Sequence, residues 1–281
     1  MDHDPLISVA TLSAQLDGDR PPALLDVRWA LSGPTGLGAY LEGHIDTAVY
    51  VDLDTQLAAP AGPGTGRHPL PEITDLQAAA RSWGVRKGEP VVAYDDSNGL
   101  SAARAWWLLR WAGVIDVRVL DGGLAAWVAA GGGLVTGPVV PPSGDVELRG
   151  GNLPVLDAEG AAALATTGVL LDARSGERYR GEAEPIDPVA GHIPGSRSAP
   201  TTDNLSPTGT FASAGELRER FAAVGADGRT EVGVYCGSGV TATHEVLALA
   251  RIGVPASLYP GSWSQWITDP DRPVGTGTEP T

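Results

Sequence analysis

The chain has 281 residues, 42% of them apolar, which suits two ordinary domains and excludes global disorder. Its formal charge of −15 argues against nucleic acid or an anionic membrane as a partner, so an anionic substrate must be held locally by a few arginines and backbone amides. The single cysteine, Cys236, excludes an intrachain disulfide and a cysteine-rich zinc site, and His3, His44, His68, His192 and His244 lack metal-ligand spacing. No apolar run reaches membrane-spanning length and no signal peptide is evident, which makes the reducing cytoplasm the expected home of a working thiol.

In chain order, residues 5–16 read as a short edge strand and a helix that begins near Ser13 and Ala14. The stretch Leu24-Leu25-Asp26-Val27-Arg28 reads as a buried strand ending in polar residues, and Leu170-Leu171-Asp172-Ala173-Arg174 repeats it. Gly43-His44-Ile45 returns as Gly191-His192-Ile193, Val91–Asp95 as Val232–Cys236, and Leu120–Trp127 as Tyr259–Trp266. Four matches in one order, at offsets between 139 and 148, indicate a duplicated domain. Residues 129–153 are rich in Gly and Pro without periodicity. The expected division is therefore a first domain over 1–135, a linker over 136–153 and a second domain over 154–281.

Helical periodicity covers 74–83 and 100–112 in the first copy, and 213–223 and 241–252 in the second. Alternating with short apolar strands, these segments predict an α/β fold: in each copy a mostly parallel central sheet with helices on both faces. In such sheets ligands sit beyond the carboxyl ends of the strands, where Cys236 falls. The polar, Pro/Gly-rich tail after Trp266 is expected to follow the surface or fray.

The informative loop is Cys236-Gly237-Ser238-Gly239-Val240-Thr241-Ala242, set between the strand and a helix that stops at Gly253. Its glycines permit a tight turn whose N–H groups point inward, and the helix start adds its positive end. That setting favours a reactive thiolate. Burial as an inert apolar side chain is the commoner fate of free cysteine, but Gly-Ser-Gly directly after it points to a nucleophile. Asp95 stands at the matching place in the first copy and cannot act as a thiolate, so that copy is expected to be silent.

Together, the paired Asp-x-Arg strands, the two Gly-His-Ile motifs, the cysteine loop and Gly261-Ser262-Trp263-Ser264-Gln265-Trp266 resemble the tandem rhodanese-domain sulfurtransferases over almost the whole chain. Within that family the loop looks like that of the 3-mercaptopyruvate branch. The thiosulfate branch usually has basic residues where Gly237 and Ser238 stand.

The resemblance implies a Cys236 persulfide, loaded from a small anionic donor and emptied by a thiol such as thioredoxin or a small thiol, or by cyanide, without metal or organic cofactor. It implies amides of Gly237, Gly239, Val240, Thr241 and Ala242 around the sulfur, and Ser238 bonded to it or to a substrate carbonyl. It assigns carboxylate binding to Arg178, with Arg180 as local competitor, and a triad of Ser238 with His68 and Asp54 of the silent copy.

Many mercaptopyruvate enzymes carry a second arginine some nine residues after the first, whereas here that region reads Ala183-Glu184-Pro185-Ile186-Asp187. His44 and His192 are expected to fix turns, Asp26 and Asp172 to brace strand ends, and Trp106, Trp107, Trp111, Trp127, Trp263 and Trp266 to pack. Alternatives are thiosulfate as donor, a non-enzymatic persulfide carrier, and a cysteine phosphatase. The last needs an arginine where Ala242 stands. Two fused domains point to a monomer.

Overall fold

The computed structural model describes residues 4–30 and 36–279; His3 lies outside them. Two sheets form, and every recorded pairing within them is parallel. The first comprises β1 (Leu6–Ile7), β2 (Ala23–Asp26), β3 (Val49–Tyr50), β4 (Val91–Tyr94) and β5 (Val117–Leu120), in the order β1-β5-β4-β2-β3. The second comprises β6 (Val169–Asp172), β7 (Arg197–Ser198), β8 (Val232–Tyr235) and β9 (Ser257–Leu258), in the order β7-β6-β8-β9. The central strands β4 and β8 are buried throughout because helices cover both sheet faces, which is why they read as unbroken apolar runs.

The long helices Ile73–Ser82, Ala102–Trp111, Ala214–Ala223 and Thr241–Arg251 agree with the periodicity to within two residues. The first helix does not. It runs Val9–Leu16, four residues ahead of the expected Ser13 start, because Ser8 is its N-cap and accepts the Thr11 N–H at 3.2 Å. Two residues suffice for each of β1, β3, β7 and β9, too few for a pattern to show. No helix among the described residues is long and apolar enough to cross a membrane.

The repeated motifs do repeated work. Arg28 and Arg174 each clasp the aspartate two residues earlier and reach on to a glycine carbonyl, Gly43 at 2.7 Å and Gly191 at 2.6 Å. Tyr94 and Tyr235 each accept an amide, from Ile45 and Ile193, both at 3.1 Å. His44 stacks on Tyr40 and His192 on Tyr179, each ring bonded to that tyrosine's carbonyl. These histidines are fully buried turn elements.

Helices Ala102–Trp111 and Thr241–Arg251 pack on each other, and one buried apolar cluster runs through both halves, including Trp106, Leu109, Val246 and Leu249. The halves share a core. Residues 144–152 are stitched to the first half: Gly144 and Val146 donate to Arg81 and Val85, and Arg149 and Asn152 to Ala112 and Trp111. The tail follows the surface of the second half, with Gly275 exchanging backbone hydrogen bonds with His192 and Gly277 donating to Arg180.

The loop after β4 reveals what this turn is built to hold. The Asp95 carboxylate accepts four backbone N–H groups, from Ser97, Gly99, Ser101 and Ala102, at 2.8–2.9 Å. The nest is an anion site filled by its own side chain. Asp95→Ala should leave four buried donors unmet and lower stability by about 3 kcal/mol, since removing an acceptor exposes the full desolvation penalty; chemical denaturation checks it.

Candidate active site

Cys236 follows β8 directly and is almost fully buried. Its N–H donates to Ser262 Oγ at 3.1 Å, its carbonyl accepts from Trp263 N–H, and the Gly237 carbonyl accepts from Ser264 N–H. The cysteine loop is thus splinted by the start of helix Ser262–Trp266. Gly239 holds φ +78°, and a side chain there would strike the Pro260 carbonyl, so only glycine fits this turn.

The Gly239 N–H donates to the Cys236 sulfur at 3.1 Å. It is the one loop amide hydrogen-bonded to that sulfur among the described residues, where a fuller ring was expected. The N–H groups of Gly237, Ser238, Val240, Thr241 and Ala242 have no partner among the described residues. The loop therefore resembles the Asp95 nest with its donors largely unspent.

From the first half come Asp54 and His68. Ser238 Oγ lies 2.8 Å from His68 Nδ1, and His68 Nε2 lies 3.2 Å from Asp54 Oδ1. Trp29, which the sequence did not single out, donates from Nε1 to Asp54 Oδ2 at 2.9 Å and packs edge-on to the imidazole. Burial, reinforced by the nearby Arg104 charge, pushes the His68 pKa below its ordinary value despite Asp54. The neutral ring gives its Nε2 proton to Asp54, leaving Nδ1 to accept the Ser238 hydroxyl proton.

Arg104 is the second residue that sequence reading missed. It projects from the first half's interface helix, fully buried, and donates to four carbonyls: Leu57 at 3.2 Å, Gly239 at 3.0 Å, His68 at 3.1 Å and Pro69 at 3.4 Å. It has no carboxylate partner among the described ion pairs. Complete burial pushes its pKa down to about 10, and the Cys236 charge is what acts in the other direction. A lone cation inside Ala102-Ala103-Arg104-Ala105-Trp106-Trp107 was the available signal, since an arginine is almost never fully buried without a reason.

Arg178 lies at the loop but is not idle. Its Nε and Nη2 donate to Glu184 at 3.0 and 2.7 Å, and Nη2 also reaches Asp187 at 3.0 Å. Burial opposes ionisation of Glu184, yet the Arg178 bond and the Asp187 and Ile186 amides hold its pKa below the usual value. Arg180 points away and pairs with exposed Glu182. A third arginine, Arg67, beside His68 in sequence, reaches Asp187 from the other half. A cavity of about 960 Å³ in the first half, beside Leu16 and Trp127, touches none of these residues.

The chain matches the family model of the rhodanese-like domain twice, over residues 8–130 and 157–269. It is 49% identical, over 97% of both chains, to a Mycobacterium tuberculosis protein, SseB, whose name proposes a thiosulfate sulfurtransferase. It is equally identical, over 97% of itself and 98% of the relative, to a Pseudomonas aeruginosa protein whose name proposes a 3-mercaptopyruvate sulfurtransferase. Among solved structures it resembles Escherichia coli SseA, a 3-mercaptopyruvate sulfotransferase of rhodanese fold, with a TM-score of 0.81 and 32% identity over 93% of this chain and all of that one.

If Arg104 supplies the buried positive charge at the loop, Arg104→Met should slow alkylation of Cys236 by iodoacetamide at pH 7 by about tenfold. Arg104→Lys, which keeps the charge and loses the fork, should fall between the two, as followed by intact mass against time.

Proposed function

The chain belongs to the tandem rhodanese-domain sulfurtransferases, and we propose that it moves a sulfane sulfur from 3-mercaptopyruvate through a Cys236 persulfide to a thiol or cyanide. The observation that carries the choice of donor is the contact chain Ser238–His68–Asp54 beside Cys236. Breaking the carbon–sulfur bond of mercaptopyruvate leaves an enolate that must gain a proton, and this chain offers one. Sulfite, the product from thiosulfate, needs none.

In the first half-reaction the Cys236 thiolate attacks the donor's thiol sulfur. A sulfur–sulfur bond forms, the carbon–sulfur bond breaks, and its electron pair becomes the enolate of pyruvate. The Ser238 hydroxyl protonates that carbon, and the proton on the outer sulfur restores the hydroxyl with neutral His68 as its hydrogen-bonded relay. The product is an anionic persulfide. It lies among the spare N–H groups of Gly237, Ser238, Val240, Thr241 and Ala242, the same stabilisation by fixed dipoles that an oxyanion hole provides.

In the second half-reaction a thiol or cyanide attacks the outer sulfur and the Cys236 thiolate leaves. The scheme is ping-pong. Residues 1–135 act as the silent domain that supplies Asp54 and His68, 136–153 as the linker, and 154–281 as the domain that carries sulfur. We assign the protein to the cytoplasm as a monomer, the simplest setting for a lone working thiol.

One observation bears on thiosulfate instead: two guanidinium groups stand over the loop, a pair that would suit a dianion if their own carboxylate partners were absent. Donor kinetics run side by side separate the readings, and faster turnover with thiosulfate would overturn the choice made here.

Incubation with 3-mercaptopyruvate should add one sulfur atom to the intact mass, and Cys236→Ser should add none. Because His68 works as the neutral base, and burial lowers its pKa, activity should hold at neutral pH and fall only as pH drops below the ordinary histidine value of about 6.5. His68→Asn should abolish that acid limb in kcat/KM profiles and lower kcat with mercaptopyruvate by about 100-fold.

A further inference from the structure

The two guanidinium groups over the cysteine loop come from different halves of the protein. A side-chain carbon built on Gly237 would lie 2.9 Å from Arg67 Nη2, and 3.5 and 3.6 Å from Nη2 and Nη1 of Arg178. The space a basic residue at 237 would need is already filled by arginines from elsewhere. Both arginines hold one carboxylate: Asp187 Oδ2 accepts from Arg178 Nη2 at 3.0 Å, and Oδ1 accepts from Arg67 Nη1. Asp187 stands where many mercaptopyruvate enzymes are expected to carry their second arginine.

The two cations differ in what they have left to give. Arg178 spends Nε and Nη2 on Glu184 and Asp187. Arg67 spends Nη1 on Asp187 and a backbone N–H on Ser264 Oγ, while its Nε has no partner among the described residues. No recorded hydrogen bond uses its Nη2, the nitrogen aimed at Gly237. With Glu184 and Asp187 buried beside them, the two cations face two anions; Arg174, which also reaches Glu184, is matched by Asp172, and the Arg104 cation by the Cys236 thiolate, so the pocket's charge is close to balanced. A monoanion can join such a set on the unspent donors, whereas a dianion meets an excess of negative charge.

We propose that Arg67 is the second donor-binding guanidinium, delivered by the silent domain, and that Asp187 is the specificity-determining residue that holds both arginines and disfavours dianionic donors. The proposal rests on Cys236 being the sulfur carrier. Arg67 contributes Nη2 to the donor's carboxylate, and Arg178 contributes its remaining Nη1. Asp187 acts by position and charge.

The test is steady-state kinetics with 3-mercaptopyruvate and with thiosulfate on Arg67→Met, Arg67→Lys and Asp187→Asn, beside intact-mass loading of Cys236 at saturating donor. Arg67→Met should raise KM for mercaptopyruvate by roughly 10–100-fold, the size of a charge-assisted hydrogen bond, with kcat little changed. Arg67→Lys should recover part of that loss. Asp187→Asn should raise the ratio of kcat/KM for thiosulfate over mercaptopyruvate by about tenfold.

An unchanged KM in Arg67→Met, or equal losses with both donors, overturns the proposal while Cys236 still loads. Failure of the wild-type protein to load from mercaptopyruvate overturns the reading beneath it instead. Should Arg67→Met fail to fold, the donor ratio of Asp187→Asn and the KM of Arg67→Lys decide.

Discussion

A guanidinium buried without a carboxylate is expensive to maintain, and Arg104 is held that way by four carbonyls at once. Those carbonyls belong to the end of the short helix carrying Asp54, to the segment carrying His68 and to the cysteine loop itself. One side chain therefore ties the His68 segment to the cysteine loop, from one half of the chain to the other. Its charge has no carboxylate partner among the described ion pairs, and it stands at the loop that carries Cys236. The apolar packing of Trp106, Leu109, Val246 and Leu249 supplies the rigidity that makes such a placement durable.

The duplication is instructive because its two loops solve one physical problem differently. After β4, a carboxylate uses four amides of its own loop and the site is closed. After β8, a smaller and softer group takes one amide and leaves five unspent. In the first the four donors are all met, and in the second most are not. Asp95 thus demonstrates, within the same chain, that a turn of this kind can surround an acceptor group with backbone amides away from water.

Much of this was legible in the sequence for identifiable reasons. The strand–loop–helix around Cys236 is contiguous, so periodicity and glycine placement locate it without tertiary information. The repeats expose the two domains because matched motifs meet matched structural needs, as in Asp26–Arg28 and Asp172–Arg174. The helix start at Val9 was placed too late because its first turn, Val9-Ala10-Thr11-Leu12, follows an edge strand with only the Ser8 cap to mark the change. Trp29, Arg67 and Arg104 escaped because each acts on partners far along the chain; Arg67 and Asp187 are 120 positions apart. Arg178 was found, but its partners Glu184 and Asp187 give it a different set of free donors than the motif alone suggests.

The interface helices exchange more than apolar contacts. Arg104 reaches the carbonyl of Gly239 in the cysteine loop, and His244 approaches the carbonyl of Asn98 in the aspartate loop at 3.2 Å. Each half thereby trims the other's key turn. The half that carries Asp95 at the place of the cysteine is consequently not free to drift: mutations in it are read out in the geometry of the loop that carries Cys236. Inheritance is constrained in both halves at once, and each serves the other as a jig.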